Sequence, residues 1–163
     1  MRSERLRYAA LSPELAAPFQ RAVQDDYVRR YMLDGQLLSA ERCVERIRES
    51  QTLFEQLGVG TWLARHGESD ELVGFCGFEP VPESELPYLI YAVLEPFARQ
   101  GYASEMARRS VGYARAHARV RSVGADVDEV NQGSVRILEK LGFRRTAEQQ
   151  GAFGNLFVYR LEL

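Results

Sequence analysis

Leu94-Glu95-Pro96-Phe97-Ala98-Arg99-Gln100-Gly101-Tyr102-Ala103-Ser104-Glu105 decides how this chain folds, because an apolar strand passes through a small-residue loop directly into an amphipathic helix. Tyr88 to Leu94 is the strand, set apart by Pro80, Pro82 and Pro87. Ala103, Ala107, Ser110, Val111 and Ala114 recur at helical spacing through His117, and their small side chains let the helix from Ser104 lie close to a sheet. Such a junction is an anion site. Gly101 permits close backbone approach, and the first-turn N–H groups point outward with the positive end of the helix dipole behind them.

On the N-terminal side, Leu6 to Leu11 reads as a strand, Ser12-Pro13-Glu14 caps a helix from about Leu15 to Asp25, and a linker containing Gly35 follows. Ser39 starts a longer helix whose apolar residues Val44, Ile47, Leu53, Phe54 and Leu57 share a stripe, and Gly58 and Gly60 end it. Thr61 to Arg65 and Glu71 to Glu79 are strands around a Gly67-Glu68-Ser69-Asp70 turn. On the C-terminal side, Val120 to Val130 alternates as a strand, with Val123, Ala125 and Val127 on one face and Gly124, Asp126 and Asp128 on the other. Asn131 opens a helix through Leu141 that Gly142 stops; Arg144 to Glu148 and Leu156 to Leu163 form a hairpin around Gly151 and Gly154. This order predicts a mixed α/β (α+β) fold in a single domain, residues 1–163.

With 163 residues, 45% hydrophobic and 27% charged, the chain is sized for one packed core. A formal charge of −2 and a pI near 5.8 argue against nucleic acid or an anionic membrane as partner. Lys140 is the single lysine, so the cations are almost all planar guanidinium groups suited to phosphate or carboxylate. Cys43 and Cys76 stand far apart without a CxxC or a histidine cluster, which predicts no metal site and no disulfide framework, and a reducing cytoplasm as the location. No apolar run approaches the ~20 residues of a membrane span.

The element order, the Gly101 loop and Asn131-Gln132-Gly133-Ser134-Val135-Arg136-Ile137-Leu138-Glu139-Lys140-Leu141-Gly142-Phe143 together resemble the GNAT superfamily of acetyl-CoA-dependent N-acetyltransferases, in particular its RimJ/RimL-like branch of ribosomal-protein N-terminal acetyltransferases. The resemblance implies a central mixed, largely antiparallel sheet of about six or seven strands flanked by about four helices. It also implies that the backbone N–H groups of Arg99, Gln100, Gly101, Tyr102, Ala103 and Ser104 hold the pyrophosphate of acetyl-CoA. Ala92, Val93 and Leu94 would pair with the pantetheine arm through a splayed strand edge, and Asn131 would reach the same arm. Two positions depart from the family pattern. Ala98 stands where the loop usually opens with Gln or Arg, and Leu138 stands where many members carry the tyrosine that protonates the leaving thiolate. Ser134 is the replacement candidate.

Acetyl transfer from a thioester to an amine needs a neutral amine, a stabilised oxyanion and help for the departing thiolate. An α-amine, titrating near ~7.7–8.0, loses its proton far more readily than a lysine near ~10.4. Glu79 and Glu85, flanking the loop between two central strands, are the candidate bases, with Asp126 and Asp128 in reserve. A backbone N–H near Val93 would stabilise the oxyanion. Cys76 reads as an inert core thiol, which favours direct attack over an acetyl-enzyme. The expected function is acetyl transfer from acetyl-CoA to a primary amine, either a protein or peptide N-terminus or a small molecule. The alternative is a degenerate acyl-CoA-binding domain of the same fold. A homodimer stays open.

Overall fold

The computed structural model describes residues 1–32, 35–82, 84–151 and 154–163. Its strands are β1 (Leu6–Ala10), β2 (Thr61–His66), β3 (Leu72–Glu79), β4 (Tyr88–Val93), β5 (Ser122–Asp128), β6 (Arg144–Gly151) and β7 (Gly154–Glu162). Its helices are α1 (Ala16–Gln24), α2 (Asp26–Met32), α3 (Ala40–Leu57), α4 (Tyr102–His117) and α5 (Gln132–Lys140). The strands form one sheet in the order β1-β2-β3-β4-β5-β7-β6, antiparallel throughout except where β4 meets β5. A parallel step needs a crossover, and α4 supplies it.

Local chemistry sets the ends of the helices. Ser39 Oγ accepts the Arg42 N–H at 3.2 Å at the start of α3, and Gly58 at its end returns its own N–H to Phe54. Helices cover the sheet on both faces. On one side α4 and α5 bury Met106, Ala107, Val111 and Leu138 against Val73, Leu89, Val93 and Val123. On the other, α1, α2 and α3 bury Phe19, Val23, Val28, Cys43 and Ile47 against Leu63, Phe75, Ile90 and Ala92. These alternating residues of β4 divide between the two layers, as a strand buried on both faces requires.

Two expectations are corrected. The segment after Asp25 is not linker alone: Asp25 leaves helical geometry and its Oδ1 accepts the N–H groups of Tyr27 (3.0 Å) and Val28 (3.1 Å), which starts α2. Residues 33 and 34 of the expected linker lie outside the described residues. Val44 does not join the buried stripe of α3; it is exposed, and Cys43, Arg46, Ile47, Ser50 and Leu53 make that stripe instead. Buried Arg46 is tolerated because its guanidinium bonds the Glu79 carboxylate and lies over the Phe19 ring.

Candidate active site

Between β4 and β5 the sheet comes apart. The two strands share one register pair, Tyr88 with Gly124, and Gly124 N–H donates to the Pro87 carbonyl at 3.0 Å. A Cβ on Gly124 would stand 2.3 Å from the Tyr88 ring, so the absence of a side chain lets the strands meet at this one place. On its other edge β4 pairs with β3 from Tyr88 through Val93. Beyond Tyr88, the β4 edge toward β5 has no ladder partner among the described residues, and its N–H and C=O groups are open to an extended ligand.

A cavity of about 730 Å³ fills the opening, within the range of small-molecule and cofactor sites. Because the sheet is split, the cavity is lined from both faces. Tyr91, Val93, the start of α4 and residues of α5 form one wall; Tyr27, Val28, Tyr31 and Met32 of α2, with Glu79, form the other. Ala125 to Asp128 of β5 and Leu156 of β7 close the far side.

The expected anion cradle falls at the α4 end of the cavity. Gly101 is in the left-handed region at φ 83°, which favours glycine, and the first backbone bond of α4 runs from Glu105 N–H to the Gly101 carbonyl at 3.1 Å. The N–H groups of Tyr102, Ala103 and Ser104 therefore have no acceptor within the helix. All three residues line the cavity, together with Ala98, Arg99 and Gly101. Arg99 is also left-handed at φ 58°, a strained conformation of the sort found at ligand loops. Gln100 is not on the wall: its side chain bonds the Pro96 carbonyl, and its own carbonyl accepts from Arg5.

Asn131 and Ser134 face the cavity from the start of α5, where Asn131 Oδ1 accepts the Ser134 N–H at 3.2 Å. Capping thus fixes the Asn131 side chain at the wall. Tyr91 aims its hydroxyl at the Ser134 carbonyl at 3.4 Å. Burial pushes its phenol up to about 12, with the contact to Ser134 pulling the other way, so it stays protonated near neutral pH. Leu138 is on the wall but 1% exposed, and it brings no polar group. Among the cofactor candidates Ala92 and Val93 line the cavity, whereas Leu94 packs on the α1–α3 layer and is not part of the lining.

The candidate bases separate. Glu79 lines the cavity, held by Arg46, as do Asp126 and Asp128; Glu85 is exposed in the loop before β4 and is not part of the lining. Cys76 is fully buried, its thiol pushed up to about 12 by desolvation, and neither Cys76 nor Cys43 reaches the cavity. The rings of Tyr27 and Tyr31, both from α2, pack 4.8 Å apart at the cavity.

A donor-rich helix start, an open strand edge and an apolar wall in one cavity fit a long ligand that carries phosphate at one end and amides along its length. Residues 5–144 match the acetyltransferase (GNAT) domain family. The chain belongs to the GNAT acetyltransferases. Its cosubstrate is acetyl-CoA, and it is an acyltransferase. An uncharacterized N-acetyltransferase of Bacillus subtilis, YoaA, is 25% identical over 146 residues, 89% of this chain and 82% of the relative. The RimL ribosomal L7/L12 α-N-protein acetyltransferase, solved with coenzyme A, has a TM-score of 0.77 at 18% identity, covering 99% of this chain and 96% of that one. The Vibrio cholerae spermidine N-acetyltransferase, solved with CoA and spermine, has a TM-score of 0.77 at 12% identity over 97% and 95% of the two chains. This GNAT fold has the seven-stranded, mostly antiparallel sheet that the resemblance implied, and the described residues form five helices, α2 being the one beyond the expected four. No helix among the described residues is long and apolar enough to cross a membrane.

Proposed function

We propose that this GNAT domain transfers acetyl from acetyl-CoA to a primary amine by direct attack, and that the amine enters from the α2 side of the split sheet. The observation that carries the reading is the cavity's access to both faces through the β4–β5 opening, with a phosphate cradle on one face. When bound, the cosubstrate supplies the activated thioester. The N–H groups of Arg99 and Gly101 to Ser104 receive its diphosphate, the free edge at Ala92 and Val93 takes the pantetheine amides, and Asn131 adds a contact. An N–H of the same edge near Val93 stabilises the oxyanion, a kind of donor whose removal typically costs ~10²–10³ in rate.

Glu79, Asp126 and Asp128 surround the acceptor end with carboxylate, which draws in an ammonium group and gives its proton somewhere to go. Glu79 is the first choice as base; Glu85, exposed outside the cavity, is second. Ser134 and Tyr91 place a hydroxyl-bearing pair on the leaving-thiolate side, where Leu138 offers nothing. The absence of a cysteine from the cavity wall supports direct attack. Among acceptors, a peptide N-terminus comes first because its amine deprotonates near neutral pH, and a small-molecule amine second.

The test is acetyl-CoA consumption with thiol release, measured against a panel of peptides and polyamines. Acetamide formation with one class assigns the acceptor. Cofactor binding with no thiol release on any amine would instead make this a binding domain, the reading that Leu138 favours.

A further inference from the structure

Arg5, the residue before β1, directs its whole guanidinium at the start of α4. Its Nε donates to Glu105 Oε2 at 2.7 Å and its Nη1 to the Gln100 carbonyl at 3.0 Å. Its Nη2 lies 3.6 Å from where a Cβ on Gly101 would stand, and the group sits 4.0 Å over the Tyr102 ring. Glu105 Oε1 accepts from the Arg5 backbone N–H at 2.9 Å and from Ser3 Oγ at 2.6 Å. Two segments a hundred residues apart are thus bonded at the phosphate loop.

Glu105 sits in the first turn of α4, one residue beyond the free N–H groups. A carboxylate there is favourable for the helix dipole, but it draws on the same positive potential that an incoming diphosphate needs. With a side chain 13% exposed, it is only weakly screened by water. We propose that Arg5 is a positioning residue of the cofactor site, which neutralises Glu105 and fixes the Gln100–Gly101 loop so that the α4 start presents net positive potential to the diphosphate. Ala98 removes the family's usual polar side chain from this loop, so the charge balance at Arg5 matters more here. The inference rests on the acetyl-CoA reading.

Calorimetric titration of coenzyme A tests it. Arg5→Gln should weaken binding about tenfold, the scale of one unneutralised charge at this range. Arg5→Gln combined with Glu105→Gln should return affinity to within about threefold of the parent, since both charges are then gone. Acetyl-pantetheine, which lacks the diphosphate, should keep its KM in Arg5→Gln. An unchanged affinity in Arg5→Gln, a double variant as weak as the single one, or an equal loss with acetyl-pantetheine would each overturn the role. If Arg5→Gln does not fold, Glu105→Gln alone decides: affinity at or above the parent's supports it, and a tenfold loss shows a structural brace instead. A parent chain that fails to bind coenzyme A at all would remove the acetyl-CoA site, and this role with it.

Discussion

The two walls of the cavity differ in what they offer: the start of α4 and the edge of β4 offer backbone groups, whereas α2 and Glu79 offer side chains. On the first, Gly101 at φ 83° opens a helix whose Tyr102, Ala103 and Ser104 N–H groups have no acceptor within the helix, and the β4 edge beyond Tyr88 adds further backbone groups. On the second, Tyr27, Tyr31, Met32 and Glu79 present rings, a thioether and a carboxylate. A backbone surface can hold one ligand across great sequence change, while a side-chain surface is free to change its ligand.

Gly101→Asp attacks the backbone wall most severely. It puts a β-carbon at φ 83° and a carboxylate beside the diphosphate, and coenzyme A affinity should fall more than about hundredfold by calorimetry. Binding within tenfold of the parent would mean that the cradle lies elsewhere. Ser134→Ala should lower kcat about tenfold, roughly one hydrogen bond to a charged group, with the affinity for coenzyme A held within twofold. Unchanged turnover would pass the leaving-group role to Tyr91, and Tyr91→Phe should then show that loss.

Tyr31→Ala probes the other wall. Acceptor KM should rise about fivefold, on the order of one aromatic contact, while acetyl-CoA KM stays put. Equal shifts in both constants would erase the distinction between the walls. The mildest effect concerns acid. Burial raises the Glu105 carboxyl, but bonds from Ser3 and Arg5 outweigh it and hold the group below its ordinary 4.5. A depressed folded value means that the stabilisation is present above pH 4.5 and is lost as pH falls through the folded value. Urea unfolding of the parent should therefore weaken over that interval more than unfolding of Glu105→Gln; parallel pH curves would show that the bridge contributes nothing.

Legibility in the sequence divided along the same line. Gly101, Ala103 and the Asn131 cap are local signals, since a helix start needs particular residues at particular offsets, and the strands from β2 to β5 followed from alternation and proline. The opening between β4 and β5 was suggested by the resemblance, but its single pair at Tyr88 and Gly124 depends on a ring resting over a glycine 36 residues away, which no local pattern records. α2 escaped because Asp25-Asp26 looks like the end of the preceding helix, although an aspartate that caps Tyr27 and Val28 equally begins the next. Glu79 is a candidate base in the sequence, but its Arg46 partner comes from another element 33 residues earlier, and no local pattern links the two.

Among the described residues a single register pair joins β4 to β5, so the sheet divides into two halves, β1 to β4 and β5-β7-β6, with little backbone between them. A cofactor seated in that opening, as proposed, would supply the missing rung, and its occupancy would add to folding stability, ~2.7 kcal/mol at a hundredfold excess over Kd. For handling the protein this sets a practical rule. Material purified and stored with coenzyme A should survive heating and concentration better than material stripped of it.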